Sequence, residues 1–109
     1  MTWEVEYIPE AVKDLERVDH AQRVIVIKSI EKVRQNPLPD YEGGYGKPLG
    51  NHNDSKLAGF LKIKLKRMGL RVVYKAVREG HIMRIIVISV RDDDMVYKMA
   101  EKRISLRGL

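Results

Sequence analysis

The chain has 109 residues, with Lys and Arg numbering 21, Asp and Glu 15, a formal net charge of +6 and no cysteine. That length fits one domain, 1–109, and the absence of cysteine excludes disulfide scaffolds, cysteine zinc sites and thiol nucleophiles. The opening MTWEVEYIPE has neither a basic start nor a long apolar stretch, and the longest apolar stretch, Ile85 to Val90, is strand-sized. The expectation is therefore a cytoplasmic protein with no signal peptide or membrane span, whose charge favours a polyanionic partner.

Trp3, Val5 and Tyr7 alternate with Glu4 and Glu6, which predicts a first strand with one wet face. Pro9 stops it and opens a helix, with Ala11, Val12, Leu15 and Val18 at helical spacing. Asp19 reads as the N-cap of a second helix reaching about Gln35. Its expected buried face is Val24, Ile27, Ile30 and Val33, with Arg23, Lys28, Lys32 and Arg34 on or near the other side. The short link predicts a helical hairpin. Asn36 to Ser55 hold three of the four prolines and four of the eight glycines. That is a long loop for a small domain, which points to a working role.

From Lys56 the period becomes two. A strand to Lys66, a turn at Met68-Gly69, a strand from Leu70 to Arg78, a turn at Glu79-Gly80 and a strand from His81 to Val90 follow. A two-residue turn at Met68-Gly69 places Lys66 opposite Arg71, Leu65 opposite Val72, Ile63 opposite Tyr74 and Lys62 opposite Lys75. A one-residue slip loses the buried set. The last of these strands is apolar on both faces except at Arg84, as a central strand covered on both sides is. After three aspartates, Asp92 to Asp94, Met95 to Arg107 reads as a final helix that an aspartate can cap. The expected class is α+β: an antiparallel sheet of about four strands, an N-terminal helical hairpin and a C-terminal helix, in the order β-α-α-β-β-β-α.

This register gathers Lys62, Lys64, Lys66, Arg71 and Lys75 on one face, although like charges placed opposite one another destabilise a strand pair. Two readings stand. Either the face is solvated, with Glu4 and Glu6 alongside to neutralise it and basic stems lying over apolar surface, or it binds an anion. Arg91 closes the last strand. Tyr97, one turn into the last helix, offers a ring for a base or fills the core. His20, His52 and His81 read as surface residues. The adjacent aspartates lack calcium-loop spacing, so no metal or cofactor is expected.

With these residues in place, the sequence resembles the RelE branch of the RelE/ParE toxin superfamily, the toxic halves of bacterial and archaeal toxin–antitoxin pairs. The resemblance runs through WEVEYIPEAVKDLERV, GKPLG, GFLKIKLKRMGLRVVYKAVREGHIMRIIVISV and RDDDMVYKMAEKR. It implies an mRNA-cleaving site made of two lysines spaced by two, an arginine on the next strand, an arginine closing the last strand and a tyrosine in the final helix. Those positions hold Lys62, Lys64, Arg71, Arg91 and Tyr97. It further implies ribosome-dependent cutting of mRNA in the decoding site by attack of a ribose 2′-hydroxyl on the adjacent phosphate. The products are a 2′,3′-cyclic phosphate and a 5′-hydroxyl.

Such chemistry needs a base, positive charge for the phosphorane and an acid for the leaving oxygen. With no histidine suitably placed, a lysine becomes the base when neighbouring cations favour its neutral form. On this reading Lys62 and Lys64 share base and clamp, Arg71 and Arg91 stabilise charge, and Arg91 also serves as acid. Tyr97 stacks on or orients the nucleotide, and Lys66, Arg67 and Lys75 grip RNA backbone. The implied partners are a cognate antitoxin, the ribosome and mRNA, with operator DNA reached only through the antitoxin. A gyrase-inhibiting ParE-like toxin, an inactive toxin, and a basic module that only binds antitoxin and DNA remain alternatives.

Overall fold

The computed structural model describes residues 2–49, 59–90 and 92–109. In chain order these form β1 (Glu4–Tyr7), α1 (Pro9–Arg17), α2 (His20–Val33), β2 (Lys47–Pro48), β3 (Phe60–Leu65), β4 (Leu70–Val77), β5 (Ile82–Ser89) and α3 (Asp93–Arg107). The α+β class and the element order hold. The sheet adds a fifth strand, β2, from within the expected loop, and its spatial order is β1-β5-β4-β3-β2. It is mixed, because β1 pairs parallel to β5 while the other neighbours are antiparallel.

Period two puts Leu61, Ile63, Val72 and Tyr74 on one face and Lys62, Lys64, Arg71 and Val73 on the other. The chain leaving α2 covers the first face, where the Tyr74 hydroxyl donates to the Pro37 carbonyl at 2.7 Å. The other face lies under α3. Between them β5 is covered on both sides, as its apolar pattern predicts, with Ile85, Ile86, Val87 and Ile88 all buried. Each such side chain stabilises the fold by roughly 1.5–3 kcal/mol.

Several local expectations are corrected. The β3–β4 connection is a four-residue loop, in which Lys66–Met68 form a 3₁₀ turn closed by Gly69 at φ 61°. Glycine takes that left-handed position, which Met68 resists. The register therefore moves by two residues: Lys64 faces Arg71, Lys62 faces Val73, and Phe60 faces Lys75. A shift of two keeps every side chain on its face. In α2 the buried set is Val26, Ile30 and Val33, while Val24 and Ile27 are exposed. This helix is apolar on nearly every side, so spacing alone does not select its inner face. Asp19 occupies the N-cap position without a side-chain cap bond. Arg23 and Arg34 do not simply face water either. Arg23 donates to the Leu15, Glu16 and Val18 carbonyls at the end of α1, and Arg34 donates to the Trp3 carbonyl.

β1 stops at Tyr7, halfway along β5, and leaves β5's outer edge without a strand. A buried ion pair completes that edge. Asp14 of α1 accepts from the Ile88 amide at 3.0 Å, and Arg103 of α3 donates to the Ile86 carbonyl at 3.0 Å. The two side chains join in a forked contact, with Arg103 Nη2 3.1 Å from Asp14 Oδ1. This locks α1, β5 and α3 together through groups that otherwise lose their backbone partners.

Candidate nucleic-acid interface

The strand ladder and the start of α3 bring the predicted cations together. Lys64 and Arg71 are direct cross-strand partners, and Lys62 lies two residues along β3 on the same face. Asp92 caps α3 by accepting from the Met95 amide at 2.9 Å, as the run of aspartates predicts. That cap aims Asp93 at the basic face. Asp93 accepts a hydrogen bond from Arg71 Nε, and its other oxygen lies 3.8 Å from Lys62 Nζ. One helical turn further on, the Tyr97 hydroxyl accepts from Lys62 Nζ at 2.8 Å, and the same ammonium stands 5.5 Å from the ring centroid.

Among the described residues, the cationic surplus is thus held around the Asp93 carboxylate. Burial pushes the Asp93 carboxyl up, but the Arg71 hydrogen bond and the charges of Lys62, Arg71 and Lys64 outweigh it and hold its pKa below the ordinary value. Asp93 was not among the residues expected here. The available signal was its place four residues before Tyr97, which puts both on one helix face. Of the two readings of this face, neutralisation by Glu4 and Glu6 does not hold, because β1 lies at the far edge of the sheet from β2. There Glu6 pairs with Arg84 at 2.8 Å instead.

Tyr97 is buried, and both its hydroxyl and its ring are engaged by the Lys62 ammonium. Lys66 and Arg67 leave the basic face for the exposed 3₁₀ turn, where they rim a groove with Ile25, Leu65 and Met68. Lys75 stands further along the face, its ammonium 5.5 Å from the Phe60 ring centroid. Arg91 and His52 lie outside the described residues. His20 and His81 are exposed. Among the described residues, no group of three His, Asp or Glu is placed to hold a metal, and no helix is long and apolar enough to cross a membrane.

A dense cluster of ammonium and guanidinium groups around a part-exposed carboxylate has the charge to hold a phosphodiester and the extra negative charge of its transition state. No protein-family model matches the chain. A RelE-like toxin protein of Escherichia coli is 27% identical over 108 residues, spanning 95% of this chain and 99% of its own. A doubly substituted form of the E. coli toxin RelE, solved in the free state, superposes with a TM-score of 0.73 at 23% identity, covering 95% of this chain and 99% of that one. The toxin–antitoxin complex RelBE2 of Mycobacterium tuberculosis contains a chain matching with a TM-score of 0.64 at 21% identity, over 84% of this chain and 100% of that one. The structural likenesses show that the chain shares the fold of these RelE toxins, and the sequence similarity to the RelE-like toxin protein runs along nearly the whole of both chains.

Proposed function

We propose that the chain is the toxin of a type II toxin–antitoxin pair and a metal-independent endoribonuclease that cuts mRNA in the ribosomal decoding site. The observation carrying this reading is the gathering of Lys62, Lys64 and Arg71 around the Asp93 carboxylate, beside the Tyr97 hydroxyl. The scissile phosphate takes the place of that carboxylate between Lys62 and Arg71. Lys62 and Lys64 share removal of the 2′-hydroxyl proton and clamping of the phosphate. Arg71 and Arg91 neutralise the phosphorane with their forked donors, and Arg91 delivers the proton to the departing 5′ oxygen. Tyr97 orients Lys62. Lys66, Arg67 and Lys75 contribute salt-sensitive contacts to RNA backbone.

The cognate antitoxin is the protein partner, and operator DNA is reached through it. Solved relatives of this fold include the intact E. coli RelBE toxin–antitoxin complex. An antitoxin that displaces α3 takes both Asp93 and Tyr97 from the cluster. A complex that leaves Tyr97 beside Lys62, with the basic face open, contradicts that route of neutralisation.

The function is tested by synthesising the protein in a translation extract and mapping mRNA 5′ ends. Codon-phased cuts that vanish with Lys62→Ala and Arg91→Ala are expected. Intact mRNA together with trapped gyrase–DNA breaks replaces the reading with a ParE-like one.

A further inference from the structure

The proline- and glycine-rich loop after α2 is built to present one aromatic ring. Tyr45 donates its amide to the Asn36 carbonyl at 2.9 Å, and the Gly46 amide donates to Leu38 at 3.0 Å. The Asn36 side chain returns a bond to the Gly43 carbonyl at 3.3 Å. The glycines on either side of Tyr45 lie against the fold: a Cβ at Gly44 meets the Leu38 carbonyl, and one at Gly46 meets the Tyr74 hydroxyl. The backbone is thus clamped on both sides, yet the Tyr45 residue is 49% exposed. An exposed aromatic on a rigid loop is a feature of binding surfaces rather than of packing.

Cations share a groove with this ring. Lys32 of α2 stands 5.4 Å from its centroid. Two residues on, Lys47 is the cross-strand partner of Lys62, so it shares Lys62's face at the sheet edge. A groove of about 240 Å³ runs between α2 and β3, lined by Lys32, Tyr45, Lys47, Lys62 and Lys64. That is below the roughly 300–1,000 Å³ of sites for whole drug-sized ligands and suits one flat group laid across an edge.

We propose that Tyr45, Lys32 and Lys47 form a subsite for single-stranded RNA, stacking a base and holding the phosphate of a nucleotide that flanks the scissile bond. The chain leaves the Lys62–Arg71 cluster across the β3–β2 edge, meets Lys47, and lays its next base on Tyr45. Aromatic stacking combined with a track of lysines is how proteins hold single strands with little base preference. The position of the subsite rests on the nuclease reading above; its ability to bind RNA does not.

The test is fluorescence anisotropy with a short single-stranded RNA, 2′-O-methylated so that it cannot be cleaved, and the full-length protein. Tyr45→Ala is expected to weaken binding roughly five- to a hundredfold, and Tyr45→Phe to leave it near wild type. Lys47→Ala is expected to lower the slope of log affinity against log salt by about one, which keeps the test decisive if Tyr45→Ala fails to fold. Unchanged affinity in Tyr45→Ala, or an unchanged salt slope in Lys47→Ala, overturns the subsite. So does weaker binding of an acidic peptide by these variants with RNA binding intact. Parallel assays on programmed ribosomes separate the two ideas. Wild-type protein that binds RNA through Tyr45 but never cuts mRNA sinks the nuclease and leaves the subsite. Cutting with an unaltered KM in Tyr45→Ala, together with unchanged RNA affinity, sinks the subsite and leaves the nuclease.

Discussion

Helix α3 carries two acid–base assemblies that look alike on paper and differ in what they are for. At its inner end Arg103 meets Asp14, one cation to one carboxylate, with Asp14 buried and both side chains also completing β5's edge. At its start Asp93 meets Arg71 and Lys62, with Lys64 close enough to influence it, so among the described residues the cations outnumber the acid. The side chain of Asp93 is 37% exposed against 5% for Asp14. The first assembly is charge-balanced and bonded to backbone, so it holds the fold. The second has surplus positive charge around a part-exposed carboxylate, which on the proposed function gives way to a phosphate. On the proposed function, surplus and access, not the presence of an ion pair, distinguish the site.

The sharpest way to break the comparison is at the balanced pair. Asp14→Ala strands Arg103 and the Ile88 amide in the interior, and an uncompensated buried charge costs about 3–5 kcal/mol. Urea unfolding is expected to show that loss. Replacing both partners by apolar residues is expected to recover part of it, with the Ile88 amide and Ile86 carbonyl still missing partners at about 1–3 kcal/mol. An Asp14→Ala protein as stable as wild type removes the structural role. Lys62→Ala is expected to do the reverse: cleavage falls about 10²–10⁴-fold in single-turnover assays while the unfolding midpoint hardly moves.

Asp93→Asn lies between these. Its ion pairs are partly exposed, so the stability cost is expected to be under about 1 kcal/mol, while affinity for non-cleavable RNA rises because the competing anion is gone. The pH dependence has a definite sign. The folded pKa of Asp93 is lowered, so its contribution is fully present above the unfolded value of about 3.9 and is lost as pH falls through the folded value. Acid titrations of wild type and Asp93→Asn are expected to converge at low pH; a gap that widens on acidification contradicts this. The smallest effect is expected at the edge pair, where Glu6 is half exposed. Glu6→Ala should cost below about 1 kcal/mol in unfolding and leave cleavage unchanged.

How much of this was legible in the sequence follows the range of the interactions. Pro9, the alternation through β3 to β5 and the Asp92 cap are local, and each led to the right element. The faces of β3 and β4 were also legible, since a register error of two residues leaves period-two sidedness intact. The register itself was not, because Lys66 to Gly69 close by a 3₁₀ turn that the Met68-Gly69 pair alone does not signal. In α2, Val24, Ile25, Ile27 and Ile30 offer several apolar stripes, and only tertiary packing chooses among them. The role of Asp14 has no local signal, since its partner Arg103 lies 89 residues away. Asp93 sits in a run of three aspartates that reads as capping charge, and its four-residue spacing from Tyr97 is the signal that places it by the cluster.

The central claim is that lysine and arginine, gathered on one sheet face, cleave RNA by internal attack of the 2′-hydroxyl. The measurement that tests it most directly is the chemistry of the fragment ends released from programmed ribosomes. The account predicts 2′,3′-cyclic phosphates paired with 5′-hydroxyls, produced by wild type and by Glu6→Ala but not by Lys62→Ala. Fragments ending in 5′-phosphates, or cyclic-phosphate ends formed undiminished by Lys62→Ala, contradict it.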